Sequence, residues 1–590
     1  MHPTKTNKTF SLSWLPYLIF FTGSFIYFSF FADYVLFYQE KSSLFIFSFD
    51  FLKENLHQPG GLLIWLGKLF STFFYYPAAG GLVVALILTL IVSTVSAIIR
   101  IISGNNSILF PLLTGAALFY LQTDYRFMIY NNIGLLIQLC FFLLAIKYVN
   151  ILRGWIPVLL IPLVYFATCG FTWMYLVMLT LYFGFGKEKK IWIKIAVIWG
   201  LSYMVFYLSK EFLFFQTIKT LLTFPFTDLN PGTHEKIFIP VALFLSALPV
   251  LSRLRIKLPA RIRISEFLKI ISISTFFGLI IMIGILRFDK KTDQYFHVEK
   301  LFYQNKFDEL ISYNFAHHPT NSLTIFLNNI TLCEMNKLND LLFSFPQSKD
   351  GNTLFLKWEM IGEILRRGGY FYYTVGMINE AHRWAFENMV MKGHSPEGLK
   401  MLIRTELING NYNVASRYIS ILKKTLFYRK EAIYFEKLLF NDTAINADRE
   451  LGEKRITRLK SDFFSITDDP YINIGRILAT DSLNKKAFEY RVAFLLLQKD
   501  YKGIENELPS FSMYGFTRFP VHVEESILAL EVLRNGTPPN LGNIRLSIDA
   551  QNRWTQYLTV FQKYGNDLKA AEPALRKQFG NTFWYYVFYR

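Results

Sequence analysis

Runs of roughly twenty consecutive apolar residues constrain this chain more than any other feature. A helix rises about 1.5 Å per residue, so such a run can cross the hydrocarbon layer of a bilayer with its backbone polar groups bonded internally. Nine runs stand out, at about 14–32, 77–99, 107–123, 132–149, 155–169, 171–186, 191–208, 237–252 and 269–286. Only Cys169-Gly170-Phe171 separates the fifth from the sixth. The pattern predicts an all-α chain: a polytopic transmembrane bundle of about nine spans over residues 1–286, with an outer loop at 33–76, then a different kind of domain over 287–590. With 52% hydrophobic and 18% aromatic residues, the composition excludes an ordinary soluble enzyme.

Charge places these spans. Up to Leu286 there are 22 Lys+Arg and 10 Asp+Glu, against 40 and 34 in the rest. With the N-terminus inside, fifteen basic residues fall on inner segments, among them Lys5, Lys8, Arg100, Lys147, Arg153, Lys187, Lys189, Lys190, Arg255, Lys257, Arg261, Arg263 and Lys269, against Glu188 and Glu266. The outer loops hold seven basic residues and eight acids. The positive-inside rule then makes the N-terminus cytoplasmic and 287–590 extracytoplasmic, in an inner membrane. The net charge of +18 is explained by this loop bias, so no nucleic-acid partner is expected. The first run follows Lys5 and Lys8 and exceeds a signal-peptide core, which reads as an uncleaved helix.

The first outer loop holds Asp33, Glu40, Asp50, Glu54 and His57, the turn Gln58-Pro59-Gly60-Gly61, and an aromatic amphipathic run from Leu62 to Tyr76. That run predicts an interfacial helix entering the second span at Pro77; the alternative is a second span that simply begins earlier. Gly80-Gly81 permits close helix contact. The short loop Thr123-Asp124-Tyr125-Arg126 allows an Asp124–Arg126 ion pair, and Ser209–Lys236, with its turn at Asp228-Leu229-Asn230-Pro231-Gly232, can act as a lid.

After Arg287 the pattern changes to short amphipathic helices. Gly376-Met377-Ile378-Asn379-Glu380-Ala381 recurs as Gly410-Asn411-Tyr412-Asn413-Val414-Ala415, an offset of 34 residues, which is the tetratricopeptide period. Junctions at Lys306–Leu310, Lys337–Leu341 and Asp500–Ile504 look like degenerate copies, so the tail is expected to be an α-solenoid. The aromatic end, Phe583–Tyr589, either caps that solenoid or rests on the membrane.

No nucleotide loop, dinucleotide fingerprint or nucleophile elbow is present, and His317-His318 has no metal-ligand spacing. Cys140, Cys169 and Cys333 read as small core residues, while His382, His394 and His522 are scattered. Asp33, at the outer end of the first span, either ends a helix among headgroups or serves as a base.

Residues Trp14–Lys147 resemble the C-type membrane glycosyltransferases, multi-span enzymes using polyprenyl-phosphate sugars. The resemblance is carried by Asp33 after the first helix, the Asp50–Tyr76 region, His57-Gln58-Pro59 before the second, and Asp124 in the next outer loop; Gln58 departs from the His-Pro-Pro element. It implies Asp33 as general base or acceptor anchor, Asp124 orienting the acceptor or helping to hold Mg²⁺ or Mn²⁺, and His57 or Arg126 binding the donor phosphate. The overall layout is equally similar to an uncharacterised group of bacterial inner-membrane proteins with helical-repeat tails. Two other functions fit the pattern: a non-catalytic scaffold whose solenoid recruits a cell-envelope partner, and a transporter or flippase, disfavoured by the scarcity of charge within the spans.

Overall fold

The computed structural model describes residues 14–104, 108–149, 154–186, 191–226, 229–230, 232–253, 266–358, 362–459, 469–481, 483–565 and 567–590, with side chains omitted at 266–272 and 470. Lys5, Lys8, Arg153, Lys187, Glu188, Lys189, Lys190, Asp228, Pro231, Arg255, Lys257, Arg261 and Arg263 lie outside the described residues, as do the side chains of Glu266 and Lys269. The chain is all-α, with 76% of its residues helical and no strand among the described residues. It divides into two compact units, one of Met1–Asp289 with Lys424–Phe427, the other of Lys290–Lys423 with Tyr428–Arg590.

All nine apolar runs lie on helix, but not all are long enough to cross a bilayer alone. By length and composition four helices qualify among the described residues: Pro77–Ser103, Ile129–Lys147, Ile156–Gly184 and Ile191–Leu213. A fifth is counted if Leu15–Phe31 is joined to Asp33–Lys41, from which it is bent by 71°. The count of nine is not reproduced because Leu109–Gln122 and Glu235–Ser246 have 14 and 12 residues. They rise only about 21 and 18 Å, short of the ~30 Å hydrocarbon layer.

Length and composition also misrepresent Ile156–Gly184. Tyr175 Oη donates to the Pro157 carbonyl at 2.9 Å. In a straight helix those residues would be about 27 Å apart, so the chain folds back between them. The turn is at Cys169, whose φ of 50° is left-handed. This hairpin is fastened by the C-terminal end of Ile218–Thr223: the Gly170 amide donates to the Phe224 carbonyl at 2.7 Å and Trp173 Nε1 to the Leu222 carbonyl at 2.9 Å.

The aromatic run forms its own helix, Gly61–Thr72, with a further turn at Phe73–Tyr75. Extended backbone at Tyr76 (φ −105°, ψ 117°) separates it from Pro77–Ser103, which excludes a longer second span. The glycine pair works as expected, because a Cβ on Gly81 would lie 2.1 Å from Ser29 Oγ on the first helix segment.

The second unit stacks consecutive helices. The repeated motif starts helices at Ile378 and Tyr412, 34 residues apart, each following a glycine with φ above 80° or at 80°. Junctions at 306, 337 and 500 likewise start helices at Phe307, Leu338 and Tyr501. Ala381 and Ala415 are fully buried, as small residues at helix contacts should be. The aromatic C-terminus caps this unit: Trp584 Nε1 donates to the Glu525 carbonyl at 2.7 Å and Tyr586 Oη to the Leu497 carbonyl at 2.8 Å.

Buried ion pairs join the stacked helices. Arg367, fully buried, contacts the equally buried Glu299, and lies 2.5 Å from Glu363. Glu334 is clasped by Lys454 at 2.6 Å, by Lys486, and by the Thr374 hydroxyl at 2.8 Å. Burial alone would raise the Glu334 carboxyl, but the two lysines outweigh it and bring it from 4.5 to about 2. A depressed carboxylate adds stability that is complete above its unfolded value and is lost as pH falls through the folded one. The melting-temperature advantage of wild type over Glu334→Gln is therefore expected to shrink between pH 4.5 and about 2; thermal unfolding curves that fall in parallel over that range would refute it.

Candidate functional site

Asp124 sits between Leu109–Gln122 and Ile129–Lys147, in a turn whose backbone must be satisfied beside apolar surroundings. Gln39, buried on the Asp33–Lys41 helix, does this with both ends of its amide. Its Nε2 donates to the Phe127 carbonyl at 2.9 Å and its Oε1 accepts from the Ile129 amide at 3.0 Å. Gln122 Nε2 adds a weaker bond to the same carbonyl at 3.4 Å, and Asn132 Nδ2 fixes Gln122 Oε1 at 2.7 Å. The turn is held in one register by side chains buried on both flanking helices.

Held this way, the Asp124 carboxylate meets two residues distant in sequence. His234 Nε2 is 3.1 Å from Oδ2, off the axis of a well-aligned hydrogen bond, and Arg287 Nη2 is 3.6 Å from the same oxygen. Oδ1 accepts from the Arg126 amide at 3.0 Å. His234 Nδ1 accepts from the Asn230 amide at 3.3 Å, which places the proton of a neutral ring on Nε2, facing the carboxylate. The Phe127 ring meets the imidazole edge to face at 5.5 Å. Arg287 is itself placed by Thr123 Oγ1 at 3.3 Å and by the Tyr120 ring, 4.6 Å below its guanidinium. Burial would raise the Asp124 carboxyl, but His234, the Arg126 amide and Arg287 together hold it below its ordinary value.

These groups border a cavity of 330 Å³ lined by Tyr120, Asp124, His234, Lys236 and Arg287, among others. Lys236 is exposed and has no ion-pair partner among the described residues. One ionised carboxylate, a guanidinium, a lysine and an imidazole suit an anionic ligand with a hydroxyl beside it.

Of Asp33, Asp124, His57 and Arg126, only Asp124 lines this cavity. Asp33 opens the Asp33–Lys41 helix, and its side chain makes no hydrogen bond or ion pair among the described residues. His57, exposed, donates through Nδ1 to the Lys53 carbonyl at 2.6 Å and so closes the Phe49–Leu56 helix. The Asp124–Arg126 side-chain pair does not form: the guanidinium turns to Tyr125, with Nε 3.0 Å from its hydroxyl. His234 and Arg287 were missed, although a histidine entering an apolar helix and an arginine ending one were available signals. No group of three His, Cys, Asp or Glu side chains that could by itself hold a metal ion is found among the described residues.

Fold and site together define a class: an all-helical protein with helices long and apolar enough to cross a membrane and a charged cavity at helix ends. The chain belongs to the family of unknown function DUF6057, whose profile matches residues 8–590. Neither a curated protein nor a solved structure matches it.

Replacing Gln39 with Leu should strand the Ile129 amide and leave the Phe127 carbonyl with only its weak bond, at a cost of about 1–3 kcal/mol per orphaned group. The expected result is a lower melting temperature in detergent and faster hydrogen exchange at Ile129. An unchanged melting curve with unchanged exchange would show that the turn holds itself.

Proposed function

We propose that the chain is an integral-membrane glycosyltransferase that takes a sugar from a polyprenyl-phosphate donor, with the Asp124 cavity as its site. What supports this is the meeting of an ionised carboxylate with Arg287, His234 and the exposed Lys236 around one cavity bordered by apolar helices. The acceptor hydroxyl attacks the anomeric carbon, the bond from that carbon to the phosphate oxygen breaks, and the polyprenyl phosphate leaves with the electron pair. Arg287 and Lys236 balance the charge of the leaving phosphate, and Asp124 receives the hydroxyl proton. His234, whose Nδ1 is occupied, orients Asp124 rather than taking the proton itself. Asp124 thus takes the role that the sequence suggested for Asp33, and the phosphate contacts pass from His57 and Arg126 to Arg287 and Lys236. No step is routed through a divalent ion.

In proteoliposomes supplied with polyprenyl-phosphate sugars and cell-envelope acceptors, wild type should consume donor. Asp124→Asn is expected to lower turnover about 10²-fold or more, the usual weight of a proton-transferring group, and Arg287→Gln to raise the KM for donor. Full turnover in Asp124→Asn with loss in Asp33→Asn would return the base to Asp33.

A second reading, a scaffold whose tail recruits an envelope partner, is favoured by one observation. The second unit carries a groove of 480 Å³ bordered by Arg404, Lys430, Glu431, Asp448, Arg449 and Glu450. Partner capture by the full chain that survives Asp124→Asn would support it. In either case we read the stacked helices as tetratricopeptide-like and place them outside the cytoplasm, with the N-terminus inside and the protein in a bacterial inner membrane, on the Lys/Arg asymmetry of the loops. A reporter fused after Arg590 should be active only if it works outside the cytoplasm; activity of a cytoplasm-only reporter there would reverse the orientation.

A further inference from the structure

The groove of 480 Å³ in the second unit is built from three helices, Pro396–Asn409, Arg429–Glu436 and Arg449–Thr457, together with Asn305 and Asp448. Its charged lining is formally neutral, with Arg404, Lys430 and Arg449 against Glu431, Asp448 and Glu450. What it selects therefore depends on which of these groups still have bonds to make.

The acids are engaged. Asp448 caps the Arg449–Thr457 helix: its Oδ1 accepts from the Glu450 amide at 3.0 Å and the Leu451 amide at 2.8 Å, and its Oδ2 accepts from the Tyr434 hydroxyl. Glu450 Oε1 accepts from the Tyr373 hydroxyl at 2.8 Å and lies 3.2 Å from Arg404 Nε. Glu431 Oε2 lies 3.2 Å from Lys400 Nζ.

The bases are open. Lys430 and Arg449 are exposed, and neither has a hydrogen-bond or ion-pair partner among the described residues. Arg404, with only 13% of its side chain exposed, is held at Nε by Glu450. Its Nη1 and Nη2 make no hydrogen bond among the described residues and are not sealed from solvent. Lys430 and Arg449 also stand in the first turns of their helices, where the positive end of the helix dipole disfavours a cation. Helix stability does not explain their placement, whereas a bound anion does.

We propose that this groove binds a small ligand carrying two oxyanion groups, one forked on the Arg404 guanidinium and the other met by Lys430 and Arg449. A planar guanidinium with both Nη groups open matches two oxygens of one phosphate or carboxylate. The proposal rests on neither reading given above and holds for an enzyme or a scaffold.

Isothermal titration of the full-length protein in detergent tests this with inorganic pyrophosphate for phosphate groups, glutarate for carboxylates and 1,5-pentanediol as the uncharged control. At least one of the two anions should bind saturably, at least tenfold more tightly than the diol, and more weakly as salt is raised; the tighter of the two identifies the oxyanion. Lys430→Gln with Arg449→Gln, both at exposed positions, should weaken that binding tenfold or more at an unchanged melting temperature. Arg404→Lys, which keeps the charge and loses the fork, should also weaken it, and Arg287→Gln should not. Equal binding of the diol, or no saturable binding of either anion up to about 10 mM, would overturn the proposal. So would binding that survives the Lys430/Arg449 double change and is lost in Arg287→Gln, which would put the anion in the Asp124 cavity.

Discussion

The Gln39 amide, bonded to the Phe127 carbonyl and the Ile129 amide, is the interaction on which the candidate site depends. Where water is scarce, a turn between apolar helices can keep its backbone polar only if side chains supply the missing partners. Gln39 does so from a helix nearly ninety residues earlier, which pins the turn to that helix as well as satisfying it. Asp124 inherits the resulting position, and through Asp124 so do the contacts to His234 and Arg287.

A similar logic runs through the second unit with charges in place of amides. Glu334 links the Ser322–Glu334 helix to Lys454 and Lys486 on two later helices, and Arg367 links to Glu299 across 68 residues. Breaking one partner of such a pair strands a buried charge, so these pairs fix which helices stack on which whatever their net contribution to stability. The aromatic C-terminus completes the stack by inserting Trp584 and Tyr586 against carbonyls of earlier helices.

Much of this arrangement is written in local pattern. Apolar runs, the Gly80-Gly81 contact, the separate helix before Pro77 and the 34-residue motif each depend on neighbours a few residues away, and each has its counterpart in the structure. The span count was less legible because hydropathy records how apolar a run is and not where its helix breaks, as at Ala32 and Cys169. The site was least legible. Asp124 was visible as an acid in a short loop, but its partners lie 110 and 163 residues further on, and nothing local distinguishes His234 from a helix-end histidine or Arg287 from a residue marking the membrane boundary. Gln39 escaped for a related reason: an amide declares itself only by what it is bonded to.

The hairpin at Cys169 carries a consequence for how the chain is made. Its two arms read together as one apolar stretch, from Ile156 to Gly184, and the backbone bond that fastens its tip reaches Phe224. Synthesis proceeds from the N-terminus, so some fifty residues must be added after the tip emerges before its fastener exists. In that interval the stretch has only its internal bonds, such as that from Tyr175 to Pro157, to keep it folded back. The final path of the chain through this region is thus decided late, by a segment that is not itself one of the long apolar helices.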